Sequence, residues 1–162
     1  MVLEELALKV ANRPGQLARV ARVLAREKIN LAAISVDSTG RAGLVRMVVD
    51  RPEEALRLLS SEGFEVERHG LLTVRLADRA GSFLRVLDLL SEAKVNVQSV
   101  AILVAREGND CLVALSCSNL AKGRAALAKA GVVADTAERL VVNSDLVAFA
   151  PSIPTESVGL LL

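Results

Sequence analysis

One pattern is written twice in this chain. Leu6-Ala-Leu-Lys-Val-Ala-Asn-Arg-Pro-Gly15 returns as Leu72-Thr-Val-Arg-Leu-Ala-Asp-Arg-Ala-Gly81, and Ile29-Asn30-Leu31 returns as Val95-Asn96-Val97, each at a spacing of 66 positions. A period of that length is too long for a solenoid unit and right for a small domain, so the 162 residues are expected to hold two like modules. Gly63 and Gly131 stand 68 apart, which puts a hairpin longer by two residues at 104–110 of the second copy. Loops are where two related modules diverge at least cost.

Within each copy the periodicity changes from two to three or four and back. Leu6, Leu8 and Val10 alternate as in a strand buried on one face. Pro14-Gly15 ends it, and Leu17, Val20, Ala21 and Leu24 then fall at helical spacing, with Arg19, Arg22 and Arg26 toward solvent. Ile29–Val36 and Leu44–Val49 read as strands joined by the turn Asp37-Ser-Thr-Gly40. Asp50-Arg-Pro52-Glu-Glu54 offers a cap, a proline and first-turn acids for a second helix, which Gly63 stops before a fourth strand, Phe64–Arg68. The second copy repeats the order with strand 71–77, a helix from Ser82, strands 96–104 and 111–117, helix 120–130 and an apolar run after Gly131. The prediction is an α+β protein of two ferredoxin-like βαββαβ modules, each a four-stranded antiparallel sheet with both helices on one face, paired side by side. The domains are 1–69 and 70–142. Residues 143–162 form an extension with no repeat partner, apolar enough at Val147, Phe149, Ile153 and Leu160–Leu162 to dock on its own chain or on a second copy.

Composition removes several functions. Lysine and arginine number 20 against 19 acids, without a run of one sign, so no nucleic-acid or membrane footprint is written into the charge. Aromatics are 2% of residues, with no Trp or Tyr, and the strands that would stack RNA bases carry Leu8, Val10, Val45 and Met47 instead. Cys111 and Cys117 fall on one face of one strand, roughly 20 Å apart, too far to bond to each other. With His69 alone, the donor set for a metal is short, and neither metal nor cofactor is expected. No nucleophile-base pair, dinucleotide fingerprint or glycine-rich phosphate loop stands out, so no enzyme activity is expected. Glu4 and Glu5 sit where a leader would be apolar, and no apolar run is long enough to span a bilayer, which suggests a cytoplasmic protein.

At the two glycine loops the chain resembles the ACT domain, a small ligand-binding module of amino-acid-regulated enzymes. The resemblance rests on Asn12-Arg13-Pro14-Gly15-Gln16-Leu17 with Ile29-Asn30-Leu31, and on Asp78-Arg79-Ala80-Gly81-Ser82-Phe83 with Val95-Asn96-Val97. It covers about residues 4–142, and the whole chain looks like a stand-alone tandem ACT protein with no catalytic domain. Such a likeness implies an amino-acid sensor and a separate regulated enzyme or regulator as partner, while exposed outer sheet edges favour at least a homodimer. The ligand would sit at the interface where two modules pair, in contact with Asn12, Arg13, Pro14, Gly15, Gln16, Leu17, Asn30 and Leu31, and with Asp78, Arg79, Ala80, Gly81, Ser82, Phe83, Asn96 and Val97.

The chemistry of these loops agrees. A strand turning through glycine into a helix leaves first-turn N–H groups unpaired with the positive end of the dipole behind them, which suits a carboxylate. Asn12 and Asp78 can offer oxygen to an ammonium group, and Asn30 and Asn96, opening the second strand of each copy, are expected beside the loop with an amide for a zwitterion. The same residue types have structural uses: Asn12 and Asp78 as helix caps, Asn30 and Asn96 as left-handed helix ends, Arg13 and Arg79 as solvated surface. Ala80 stands where the family has proline, and Asn12 where it commonly has an acid, so the two loops need not be equivalent. Residues 38–41 and 106–110 are the loops expected to set side-chain specificity. The other reading is a ferredoxin-like pair that oligomerises through its sheet edges and holds no metabolite.

Overall fold

The computed structural model describes residues 3–103 and 110–132. Residues 104–109 of the longer hairpin expected at 104–110, the apolar run expected after Gly131 beyond residue 132, and the extension 143–162 lie outside the described residues. Ten elements follow in order: β1 (Glu4–Ala11), α1 (Gln16–Arg26), β2 (Leu31–Thr39), β3 (Ala42–Val49), α2 (Pro52–Ser61), β4 (Glu65–Ala77), α3 (Ser82–Glu92), β5 (Val97–Leu103), β6 (Asp110–Cys117) and α4 (Leu120–Lys129). The α+β class and the ferredoxin-like order of the first half are as expected.

The sheet is not. In place of two four-stranded sheets paired side by side, one antiparallel sheet of six strands runs β2-β3-β1-β4-β6-β5. The cause is β4, a single strand across what had been read as two. Its first half pairs with β1, from Lys9 opposite Glu65 to Glu4 opposite Gly70, and its second half with β6, from Leu71 opposite Ser116 to Ala77 opposite Asp110. Gly70 has the look of a turn residue, yet it is absent from the positive-φ glycines, and Leu71 N donates to Leu3 O at 2.8 Å. With no break in the backbone, alternation carries straight through.

All four helices cover one face. Over the first half, Leu6, Leu8, Val45 and Met47 of the sheet meet Val20, Val23, Leu24, Ala55 and Leu59. Over the second, Leu72, Val74, Val113 and Leu115 meet Val86, Leu90 and Leu127. In α1 the inward set is Val20, Val23 and Leu24; Leu17 and Ala21, expected inward, are exposed. The opposite face curls until the two edge strands, β2 and β5, come within 8 Å, and it encloses a third cluster of Val48, Leu71, Leu103, Leu112 and Ala114.

Among the described helices only α4 has a side-chain cap: Asn119 Oδ1 accepts from Lys122 N at 2.9 Å. The cap expected for α2 is not made, because Asp50 Oδ1 accepts from Asn30 N instead. Asn119→Ala is expected to cost about 1 kcal/mol of stability; an unchanged urea midpoint would show that the bond contributes nothing.

Candidate functional site

The two glycine loops have the same backbone. Arg13 N donates to Ala11 O at 2.9 Å and Arg79 N to Ala77 O at 2.8 Å, while Gln16 N to Arg13 O and Ser82 N to Arg79 O are both 3.3 Å. Gly15 (φ 84, ψ −14) and Gly81 (φ 86, ψ −14) are the N-caps of α1 and α3, so neither Asn12 nor Asp78 caps a helix. Glycine is needed here for its positive φ, since a Cβ would meet nothing within 4 Å. Among the described residues no backbone or capping acceptor takes the N–H groups of Leu17 and Ala18, or of Phe83 and Leu84. Each loop therefore presents two bare amides to open space.

The asparagines at the start of β2 and β5 also match in backbone. Asn30 O accepts from Asp50 N at 3.1 Å, and Asn96 O from Ser118 N at 2.9 Å. Neither occupies the left-handed region, which falls to Lys28 (φ 54) and Lys94 (φ 55). Their side chains differ: Asn30 Oδ1 accepts from Leu31 N at 2.9 Å, whereas the Asn96 amide has no partner among the described residues. Asn12 differs from Asp78 likewise, because Asn12 Nδ2 donates to Gly40 O at 3.0 Å and ties the first loop to the turn at 38–41. Of the flanking apolar residues, Leu17 and Leu31 are exposed, and Phe83 and Val97 are half-buried.

Strand direction separates what the sequence had placed together. Leu31 lies opposite Val49, and Val48 opposite Glu5, so Asn30 stands level with the start of β1, while the Arg13–Leu17 loop follows its end at Ala11. Seven strand residues at about 3.3 Å put roughly 23 Å between them. In the second half, Val97 lies opposite Cys117 and Ser116 opposite Leu71, so Asn96 is level with the start of that half's strand, and the Arg79–Phe83 loop follows Ala77. Within a chain, neither asparagine is beside its own loop, and the two loops sit at opposite ends of β4.

Beyond Arg13 and Arg79, sequence reading missed the arginines around these loops. Arg19 donates to Glu62 O, has Glu62 Oε2 at 3.8 Å and lies over the Phe64 ring, 4.7 Å from its centroid. Arg26 bonds the same carboxylate, and chiefly through that bond, with Arg19 adding, Glu62 is held below the usual carboxylate range. At the second loop, Arg75, Arg79 and Arg85 line an open concavity of about 790 Å³ together with Gly81, Ser82 and Asp110. The 66-residue spacing, applied to Arg19, would have pointed to Arg85.

No helix among the described residues is long and apolar enough to cross a membrane. Among solved structures, the chain is similar to a protein from Bacteroides thetaiotaomicron at 27% identity, over 82% of this chain and 90% of that one, with a TM-score of 0.74. It is also similar to the ligand-free regulatory subunit of aspartate kinase from Thermus thermophilus (16% identity, 80% and 93% of the two chains, TM-score 0.58). Aspartate kinase from Synechocystis gives 18% identity over 82% of this chain and 26% of that one, with a TM-score of 0.55. At such identities these last two share the fold. No curated protein matches the sequence. Residues 5–67 match the ACT domain family, a span that includes the first glycine loop, Asn30 and the βαββαβ order, and ends inside β4. Over residues 5–67 the chain is thus similar to the ACT domain.

Proposed function

We propose that the chain is a regulatory protein that binds an amino acid at its glycine loops and acts as a homodimer, with residues 70–142 a second, ACT-like domain. The observation carrying this reading is the separation of the binding groups. Bare amides suited to a carboxylate lie about 23 Å from the asparagine of the same half, so one ligand meets both only if a second module supplies one of them. The edge strand β2 offers the means: Leu31, Ile34 and Val36 are exposed along it. Antiparallel pairing through such an edge brings the start of one β2 beside the end of the other, and hence Asn30 of one copy toward the glycine loop of its partner. The likeness to a regulatory subunit supports a regulatory rather than a catalytic role for this fold, exerted on a separate enzyme or regulator in the cytoplasm.

A thermal-shift screen of the twenty amino acids tests the reading. A ligand at a hundredfold excess over its Kd adds about 2.7 kcal/mol, which at about 2–4 °C per kcal/mol raises Tm by several degrees. Sedimentation of the liganded protein should show a dimer. If no amino acid moved Tm, the alternative of a structural module that oligomerises without a metabolite would take its place; the engagement of Asn12 and Asn30 by their own chain favours that alternative for the first loop.

A further inference from the structure

We infer that the second glycine loop is built for an amino acid with an acidic side chain, whereas the first is not. The inference rests on the amino-acid reading above and adds the chemical class of ligand. Its basis is a comparison of the two copies at matched positions.

In the first copy the arginine one turn into the helix is neutralised. Arg19 holds the carbonyl of Glu62, has its carboxylate close by and stacks on Phe64; Lys9, two residues before the end of β1 at Ala11, pairs with Glu65 at 3.6 Å. The second copy keeps the cation and removes the carboxylate and the ring. Arg85 stands for Arg19, Ala130 for Glu62 and Val132 for Phe64. Both Glu62 and Ala130 are the C-caps of their helices, α2 and α4, so the match is structural as well as sequential. Among the described residues, Arg79 and Arg85 have no acidic or carbonyl partner, and both line the concavity of about 790 Å³ with Arg75. Asp110 is the one acid among the described residues of that lining.

Two guanidinium groups, Arg79 and Arg85, thus face the recess without an acidic partner among the described residues. Guanidinium recognises planar carboxylate by paired, charge-assisted hydrogen bonds, the strongest of the polar contacts available to a side chain. An α-carboxylate at the bare amides of Phe83 and Leu84 uses the loop; a second carboxylate on the same ligand uses Arg79 and Arg85. Glutamate and aspartate carry both groups. Their amides are equal in size but lack the second charge.

Calorimetric titration of the full chain with L-glutamate, L-aspartate, L-glutamine, L-asparagine and inorganic phosphate tests this. One of the two acids should bind at least tenfold tighter than its amide. Ala130→Glu, which returns the missing acceptor to the position of Glu62, should remove that preference, and Arg85→Gln should do so by a route that leaves α4 untouched if the first variant fails to fold. Equal binding of acid and amide overturns the inference and leaves the amino-acid reading standing. Phosphate binding as tightly as the acid, or an acid preference that survives in the folded variants, also overturns it. If no amino acid binds, both readings fall together.

Discussion

Leu72→Ala is expected to lower the stability of the chain by about 2–5 kcal/mol, and to lower it for both halves at once. Leu72 is fully buried in β4, beneath α3 and α4, where a Cβ built on Gly123 would come within 2.9 Å of its Cδ1. The helix packs so closely there that it can collapse little further into a void, and a cavity that cannot close costs the most. Transmission to the first half follows from the backbone. Glu65–Gly70 and Leu71–Ala77 are one strand, paired to β1 on one side and to β6 on the other, so losing the second half strips order from the strand that completes the first. Urea unfolding should remain a single transition with a lower midpoint, and amide exchange should accelerate in β3 as well as in β6. If β3 kept its parent protection while β6 lost its own, the halves would be independent units despite their common strand.

The features legible in the sequence were local ones. Gly15 and Gly81 were legible as tight bends from strand into helix, and nearly the same torsions occur at both. Strand and helix order followed from periodicity because each apolar set, such as Leu6, Leu8 and Val45, faces a helix of its own half. Long-range matters were not legible. His69-Gly70 resembles a break, and only the pairing of Gly70 with Glu4 and of Leu71 with Ser116 turns it into mid-strand. Asn30 was expected beside its loop because a helix brings the chain back; but β2 runs parallel to β1, so its first residue returns to where β1 begins, not where it ends. Partners of the arginines lie far away in sequence, as Glu62 does from Arg19, and no spacing rule reaches them.

The curl of the sheet was equally hidden, and it gives the other large expectation: Ser99→Val should cost about 2–3 kcal/mol, because a hydrogen bond to a charged, buried acceptor is among the more expensive to lose. Glu5 reads in sequence as a solvated acid near the N-terminus, yet only 4% of it is exposed. It points from β1 into the curl, where Ser99 Oγ of β5 donates to its carboxylate, 3.1 and 3.0 Å from the two oxygens, and Arg46 Nε stands at 4.0 Å. β1 and β5 are not neighbours in the sheet, so this contact exists only because the edges approach. Removing the hydroxyl leaves a buried carboxylate with, among the described residues, one distant cation, itself shared with Asp37 at 2.7 Å. Glu5→Leu with Ser99→Val removes the charge together with its partner and should recover most of the loss, since an apolar pair of similar shape carries no desolvation cost. A double-mutant cycle in urea measures the coupling. Additive losses would mean that Glu5 and Ser99 act separately, and that the curl is held by Val48, Leu71, Leu103 and Leu112 alone. Because Ser99 stands three residues beyond Asn96, a coupling of that size would fix the edge that carries the Asn96 amide, which has no partner among the described residues.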